Sequence, residues 1–154
     1  MVSAWRIVKA QHAATAFDGE GARRVGGRWN SPGNAAVYVS SSAALAVLEM
    51  LVHLGTPSVL PAYVLIECRF ERSLVVTLQP ANLPARWRDH PAPAEVQGVG
   101  DRWLRDGQSA VLEVPSVVVP QESNFVLNPS HKRFHEIQIL EPGPYVLDQR
   151  LAQR

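Results

Sequence analysis

The chain has 154 residues, 46% of them hydrophobic and 19% charged, with a formal net charge of +1. This length suits one domain whose core needs neither disulfides nor a structural metal, and the mixture is that of a globular chain. The near-neutral balance argues against a protein that coats nucleic acid, and the single cysteine, Cys68, excludes a disulfide framework and a cysteine-cluster metal site. No stretch approaches the roughly 18 uninterrupted apolar residues of a membrane span, and the N-terminus lacks the apolar core of a secretory signal, so the expectation is a soluble cytoplasmic protein. Of the 15 basic residues only Lys9 and Lys132 are lysine, which leaves 13 arginines as planar donors for carboxylates or phosphates.

In chain order, the alternation over Ala4–Ala10 predicts a first strand. The glycine-rich polar segment from Asp18 to Gly33 reads as a long ordered loop, a length that is uncommon unless it serves function. Ala35–Ser40 reads as a short strand. Ser41 and Ser42 are natural N-caps for the clearest helix, Ala43 to Leu54, which Gly55 and Pro57 stop. Strands follow at Pro61–Phe70 and Leu74–Leu78, then a proline-rich stretch from Pro80 to His90 as loop or short helix. A helix from Ala94 to Asp106 has Pro93 ahead of it and Gly107 behind it. Ala110–Val114, Val117–Val119, Phe125–Leu127 and Glu136–Leu140 read as further short strands. Many short strands, two or three helices and no regular β-α-β rhythm make this an α+β fold.

Four groups of residues could carry chemistry. Glu49 is the one acid in the apolar helix AALAVLEMLVHL, and a carboxylate there is costly to bury without a partner. It is a helix edge that reaches solvent, a structural ion pair with one of the many arginines, or a catalytic or ligand-binding acid at the wall of a pocket. His53, four residues on, shares its face and suits the negative end of the helix. The run Arg23-Arg24-Val25-Gly26-Gly27-Arg28-Trp29-Asn30-Ser31 combines glycines that let a backbone approach a ligand with arginines that grip anions. It is either an ordered turn or a ligand loop, and it is neither the dinucleotide fingerprint nor a P-loop. Ser116, after Pro115, is a turn residue or a nucleophile, and no nucleophile elbow surrounds it. Asn124 and Asn128 can offer amides, although Asn128-Pro129 is most simply a turn. His12, His90, His131 and His135 lack zinc-ligand spacing, so no metal is expected.

Taken in order, Trp5-Arg6-Ile7, Phe17-Asp18-Gly19-Glu20-Gly21-Ala22-Arg23, Gly26-Gly27-Arg28-Trp29-Asn30-Ser31-Pro32-Gly33, Val37-Tyr38-Val39-Ser40, Ala44-Leu45-Ala46-Val47-Leu48-Glu49 with His53, Val114-Pro115-Ser116 and Asn124-Phe125-Val126-Leu127-Asn128-Pro129 resemble the RES domain. That domain is the toxin half of bacterial RES–Xre toxin–antitoxin systems. The resemblance spans nearly the whole chain, as one RES domain over residues 1–154. It implies a split, mixed β core like that of diphtheria-toxin-type ADP-ribosyltransferases, with a cleft for NAD⁺. It implies a toxin that breaks the nicotinamide–ribose bond of NAD⁺ by hydrolysis or phosphorolysis, with NAD⁺ as substrate and no further cofactor.

Carried over residue by residue, Glu49, Arg28 and Tyr38 would be catalytic, and Arg6, Gly27, Arg28, Tyr38, Ser116 and Asn128 would bind NAD⁺. An Xre-family antitoxin would neutralise the chain in a multimeric complex, with no membrane or direct nucleic-acid contact. The alternatives are an ADP-ribosyltransferase acting on a specific protein and a non-catalytic nucleotide-binding module. An RNA-cleaving toxin is disfavoured by the near-neutral charge and the lack of a basic–aromatic strip.

Overall fold

The computed structural model describes every residue except Thr56, Ser58 and Arg154. Along the chain run β1 (Val2–Lys9), α1 (Glu20–Val25), β2 (Val37–Ser40), α2 (Ala43–Leu51), β3 (Tyr63–Phe70), β4 (Val75–Thr77), α3 (Ala94–Asp106), β5 (Val111–Pro115), β6 (Ser123–Leu127), β7 (Gln138–Ile139), β8 (Gly143–Tyr145) and α4 (Gln149–Ala152). The eight strands make one mixed sheet in the order β4-β5-β6-β2-β1-β3-β7, and β8 also pairs with β3. Among the described residues only β4 and β5 are parallel, joined through α3 in a β-α-β crossover. The architecture is α+β, as the order of predicted elements indicates. Among the described residues no helix is long and apolar enough to cross a membrane.

The sheet is pinched at its middle. β1 and β3 pair at eight positions, from Val2↔Phe70 to Lys9↔Tyr63. β2 and β6 pair at four. Between β1 and β2 the ladder holds at one position, Trp5↔Ser40. The sheet thus consists of two halves, β4-β5-β6-β2 and β1-β3 with β7 and β8, hinged at a single rung. Arg6 bridges the opening: Nη1 donates to Tyr38 O at 2.9 Å and Nε to Ala16 O at 2.8 Å. Burial pulls its guanidinium below the ordinary arginine value, with the Asp18 carboxylate opposing that shift.

Alternation along the strands divides the core between two faces. On one face Ala4, Val37, Val39, Cys68, Phe70, Val111, Phe125 and Leu127 form a continuous cluster, with Phe70 and Phe125 edge to face at 5.4 Å. On the other face each half of the sheet takes its own helix. α3 brings Val96 and Trp103 onto Leu112, Val114 and Val126. α2 brings Val47 and Leu51 onto Tyr63 and Leu147, with Ile7 alongside. Between these two helices the face is left open.

Several elements depart from the sequence reading for identifiable reasons. The segment from Asp18 to Gly33 is not all loop: it contains α1, only six residues long and without an apolar stripe for periodicity to reveal. Left-handed glycines bound it, Gly19 at φ 78° and Gly26 at φ 77°, and the Asp18 carboxylate accepts from Glu20 N. α2 starts as read, with Ser42 Oγ accepting from Leu45 N at 3.0 Å, but it ends at Leu51, and Gly55 lies beyond a further turn. Val117–Val119 is not a strand. The Val118 and Val119 amides donate to Ser116 Oγ at 3.1 and 3.0 Å, which bends the run that its β-branched residues would otherwise extend. Ser123 and Asn124 join Phe125–Leu127 in β6, and a 3-10 turn at Phe134–Glu136 shortens the strand read at Glu136–Leu140 to β7. β8 carries Pro144 opposite Val64, a residue that edge strands tolerate and sequence patterns discount.

Cys68 is fully buried, and that burial pushes its thiol from 9.0 up to about 12. A group whose folded value is raised stabilises the fold fully below its unfolded value and loses that contribution as pH rises through the folded one. Wild-type stability should therefore fall between about pH 9 and pH 12. Cys68→Ala should be less stable at neutral pH by about 1 kcal/mol and lose less across that window. Urea denaturation of both proteins at pH 7, 9.5 and 11 measures this.

Candidate active site

The opening between α2 and α3 is a cleft of about 1220 Å³. Its floor is the pinched part of the sheet, with Trp5, Arg6 and Ile7 from β1 and Tyr38 and Ser40 from β2. One wall is α2 with Glu49; the other is the Gly26–Trp29 turn with Arg28. Residues far apart in sequence meet here because each half of the sheet contributes one wall.

Glu49 lies on α2 but is held by the opposite half of the sheet. Ser116 Oγ donates to its Oε1 at 2.6 Å, and Asn124 Nδ2 donates to the same oxygen at 2.7 Å. Ser116 is itself fixed: its hydroxyl accepts from the Val118 and Val119 amides, and its own amide donates to Glu122 O. Ser40 Oγ donates to Asn124 Oδ1 at 2.8 Å and sets the orientation of that amide. Among the described residues no donor reaches Glu49 Oε2. The reading of this acid as a structural ion pair does not hold, because among the described residues its partners are the neutral Ser116 and Asn124; it stands instead in the cleft wall.

Tyr38 stands in β2 with its hydroxyl under the glycine loop. The hydroxyl donates to Asn30 Oδ1 at 2.6 Å and accepts from Trp29 N at 2.9 Å. Burial pushes the phenol above its usual range, so it is a proton donor at neutral pH. Asn30 is fully buried and completes the anchor, with Nδ2 donating to Ala22 O and Asn34 O at 2.9 Å each. Gly27 is needed here for space: a Cβ would come within 2.7 Å of the Tyr38 hydroxyl and 2.9 Å of Asn30 Oδ1.

Arg28 occupies the tip of the turn. Its Nη1 donates to Trp87 O at 2.9 Å and to Asp89 O at 2.7 Å, which straps the segment around residues 87–89 to the turn. Partial burial draws the guanidinium below its ordinary value, and Glu49 is the leading charge that opposes this. The remaining nitrogens donate no such tie among the described residues. At the mouth His53 and His90 face each other with ring centroids 6.5 Å apart.

Of the residues singled out in the sequence, the structure brings Arg6, Gly27, Arg28, Tyr38 and Glu49 to the cleft. Ser116 is fully buried just behind it, against Glu49. Asn128 is not at the cleft. It lies four residues along the strand direction from Asn124, a rise of about 13 Å, and its amide serves a turn, donating to Leu104 O and accepting from Ser130 N. Asn124 is the amide that lines the cleft. Two polar residues of α3 escaped the sequence reading: Gln97, whose amide donates to Gly27 O at the cleft, and Asp101, whose carboxylate binds Ser31 and Asn34. Their signal was their i, i+4 spacing beside the buried stripe Val96, Gly100, Trp103.

The RES domain family model matches residues 3–148. A protein named Toxin Res from Yersinia enterocolitica serotype O:8 / biotype 1B is 42% identical over 148 residues, which covers 96% of this chain and 97% of that one. Another Toxin Res, from Photorhabdus laumondii subsp. laumondii, is 35% identical over 97% of this chain and 96% of its own. A protein named Prs ADP-ribosylating toxin, from a Sphingobium species, is 35% identical over 99% and 98%. Among solved structures, a chain in the crystal structure of the M. tuberculosis MbcT–MbcA toxin–antitoxin complex superposes with a TM-score of 0.74 over 99% of this chain and 87% of that one, at 23% identity. That last likeness is one of fold.

Tyr38→Phe removes the donor to Asn30 and the acceptor for Trp29 N while keeping the ring. The loss should be about 1–3 kcal/mol of stability, read by urea denaturation, with faster amide exchange confined to the Gly26–Asn34 segment.

Proposed function

The chain belongs to the RES domain family, and we propose that it is a toxin that cleaves the bond between nicotinamide and ribose in NAD⁺. The observation that carries this reading is the Glu49 carboxylate, held at one oxygen by Ser116 and Asn124 on the cleft wall opposite Arg28. Breaking this bond gives an oxocarbenium-like transition state. The C1′–N bond breaks, its electron pair leaves with nicotinamide, and nicotinamide departs neutral, so little general acid is needed. What the reaction requires is a fixed negative charge beside the developing cation. With Oε1 tied to two donors, Glu49 can turn Oε2 to the ribose without reorganising. The acceptor oxygen then bonds to C1′: a water loses one proton to the surrounding solvent as it adds, and a phosphate adds through an oxygen that is already anionic.

Arg28 anchors the pyrophosphate through the nitrogens that its backbone ties leave uncommitted, while its Nη1 ties the 87–89 segment to the turn. The Tyr38 ring walls the nicotinamide side, held there by its hydroxyl's two hydrogen bonds. Arg6 lies beneath as a fixed positive charge that also keeps the sheet open. No step calls on a metal. A toxin of this kind acts in the cytoplasm, where NAD⁺ is.

A second reading is ADP-ribose transfer to a protein, favoured by the Sphingobium relative named Prs ADP-ribosylating toxin. It uses the same cleft and differs only in the acceptor. The fold shared with a chain of a toxin–antitoxin complex supports an antitoxin partner. We take that partner to be of the Xre type, covering the cleft mouth with an acidic segment directed at Arg28 in a multimeric complex.

Glu49→Gln keeps an oxygen to accept from Ser116 and Asn124, so the fold should survive while nicotinamide release falls at least about 100-fold. Arg28→Lys keeps the charge but loses the planar fork, and its KM for NAD⁺ should rise about tenfold. Both are measured by nicotinamide release from NAD⁺; a Glu49→Gln protein at the wild-type rate removes Glu49 from the chemistry, and no release from the folded wild type favours a non-catalytic binding module.

In bacteria, expression of the chain alone should arrest growth, and co-expression of the neighbouring antitoxin gene should restore it. Growth unaffected by the folded chain alone would remove the toxin reading.

A further inference from the structure

The Arg28 turn is gripped by α3. Gly27 and Asn30 close the turn as an isolated antiparallel bridge, with Gly27 N donating to Asn30 O at 2.9 Å, so Arg28 and Trp29 form its tip. Three successive contacts from one face of α3 hold it. Gln97 Nε2 donates to Gly27 O at 3.0 Å, at the entry of the turn. Gly100 lies directly under Trp29, where any Cβ would overlap the Trp29 carbonyl. Asp101 takes the exit: Oδ1 accepts from Ser31 N at 2.9 Å and from Asn34 Nδ2 at 3.0 Å, and Oδ2 accepts from Ser31 Oγ at 2.6 Å. Among the described residues no cation pairs with Asp101, so its charge is spent wholly on this loop. Three charge-assisted hydrogen bonds from one carboxylate are a large investment for a turn that packs little side-chain area beyond Trp29.

We propose that Asp101 is a positioning residue for the substrate site, holding the turn so that Arg28 meets its anion from a fixed geometry. This rests on the reading of the cleft as an NAD⁺ site. A turn of four residues with a long guanidinium at its tip has many conformations, and Asp101, Gly100 and Gln97 leave it one. The same constraint reaches further, because Arg28 Nη1 straps the 87–89 segment through Trp87 O and Asp89 O. Loosening the exit of the turn therefore loosens both the anchor and the strap. Positioning of this kind removes an ordering cost from binding, so its loss belongs in KM. Glu49, held separately by Ser116 and Asn124 from β5 and β6, is not disturbed, so kcat should stay close to wild type.

The test compares Asp101→Ala, Asp101→Asn and the exchanged pair Asp101→Asn with Asn34→Asp, all assayed by nicotinamide release from NAD⁺. Asp101→Ala should raise KM about tenfold with kcat close to wild type. Asp101→Asn keeps the volume and one acceptor and should raise KM less, and it carries the same test should the alanine variant fail to fold. The exchanged pair returns a carboxylate opposite an amide and should recover part of the lost affinity. Amide exchange should quicken over Gly26–Asn34 while β3 stays protected. A folded Asp101 variant with wild-type KM, or one that loses kcat at unchanged KM, overturns the inference and leaves the NAD⁺ reading standing. A wild-type chain that releases no nicotinamide overturns both.

Discussion

Everything at the cleft depends on the sheet coming apart between β1 and β2. Backbone hydrogen bonding favours a closed ladder, because an unpaired amide or carbonyl in a sheet interior is costly. Here the ladder stops after Trp5↔Ser40, and the carbonyl of Tyr38, which would otherwise need a strand partner, is satisfied by Arg6 Nη1. A guanidinium suits this task because it is long, rigid and permanently charged, and it can donate to two carbonyls in different directions. Ala16 O takes the second bond. Burial still disfavours its charge on balance, and the nearby Asp18 carboxylate is the leading charge that opposes this.

Once the sheet is split, each half needs its own helix to cover its apolar face, and two helices on one face cannot close over the gap. The cleft is thus what remains when α2 packs on β1 and β3 and α3 packs on β5 and β6. The ties that cross the gap are polar. Glu49 reaches from α2 to Ser116 and Asn124 on the other half. An apolar bridge would fill the space and seal it. A hydrogen-bonded carboxylate ties the halves through Oε1 and, among the described residues, leaves Oε2 without a donor.

The same economy shapes the opposite wall. Gly27 and Gly100 are small where the backbone must pass close, against the Tyr38 hydroxyl in one case and the Trp29 carbonyl in the other. Neither needs a left-handed backbone; they are glycines for want of room. Trp29 itself is buried at 2% exposure and packs with Val96 and Trp103 of α3, so the tip of the turn is anchored in the core.

Much of this was legible in the sequence where the physics is local. Alternation marked β1, an N-cap serine and apolar continuity marked the start of α2, and the bounds of α3 are those that Pro93 and Gly107 indicate, because caps and periodicity act within about four residues. Glu49 stood out as a charge on an apolar helix, and the glycine–arginine run stood out by composition. What the acid touches could not be read, since its partners Ser116 and Asn124 lie 67 and 75 residues away and their side chains are ordinary in any loop. Nor could the sequence separate Asn124 from Asn128, or show that Ser116 would capture two amides and bend the valine run after it. Asp101, an unremarkable acid on a helix, acquires its three bonds only when α3 docks beside a turn some 70 residues earlier. The sequence by itself determined which elements form and which residue types stand ready; the split of the sheet decided which of them meet, because hydrogen bonds across a cleft are set by packing of whole elements rather than by neighbours in the chain.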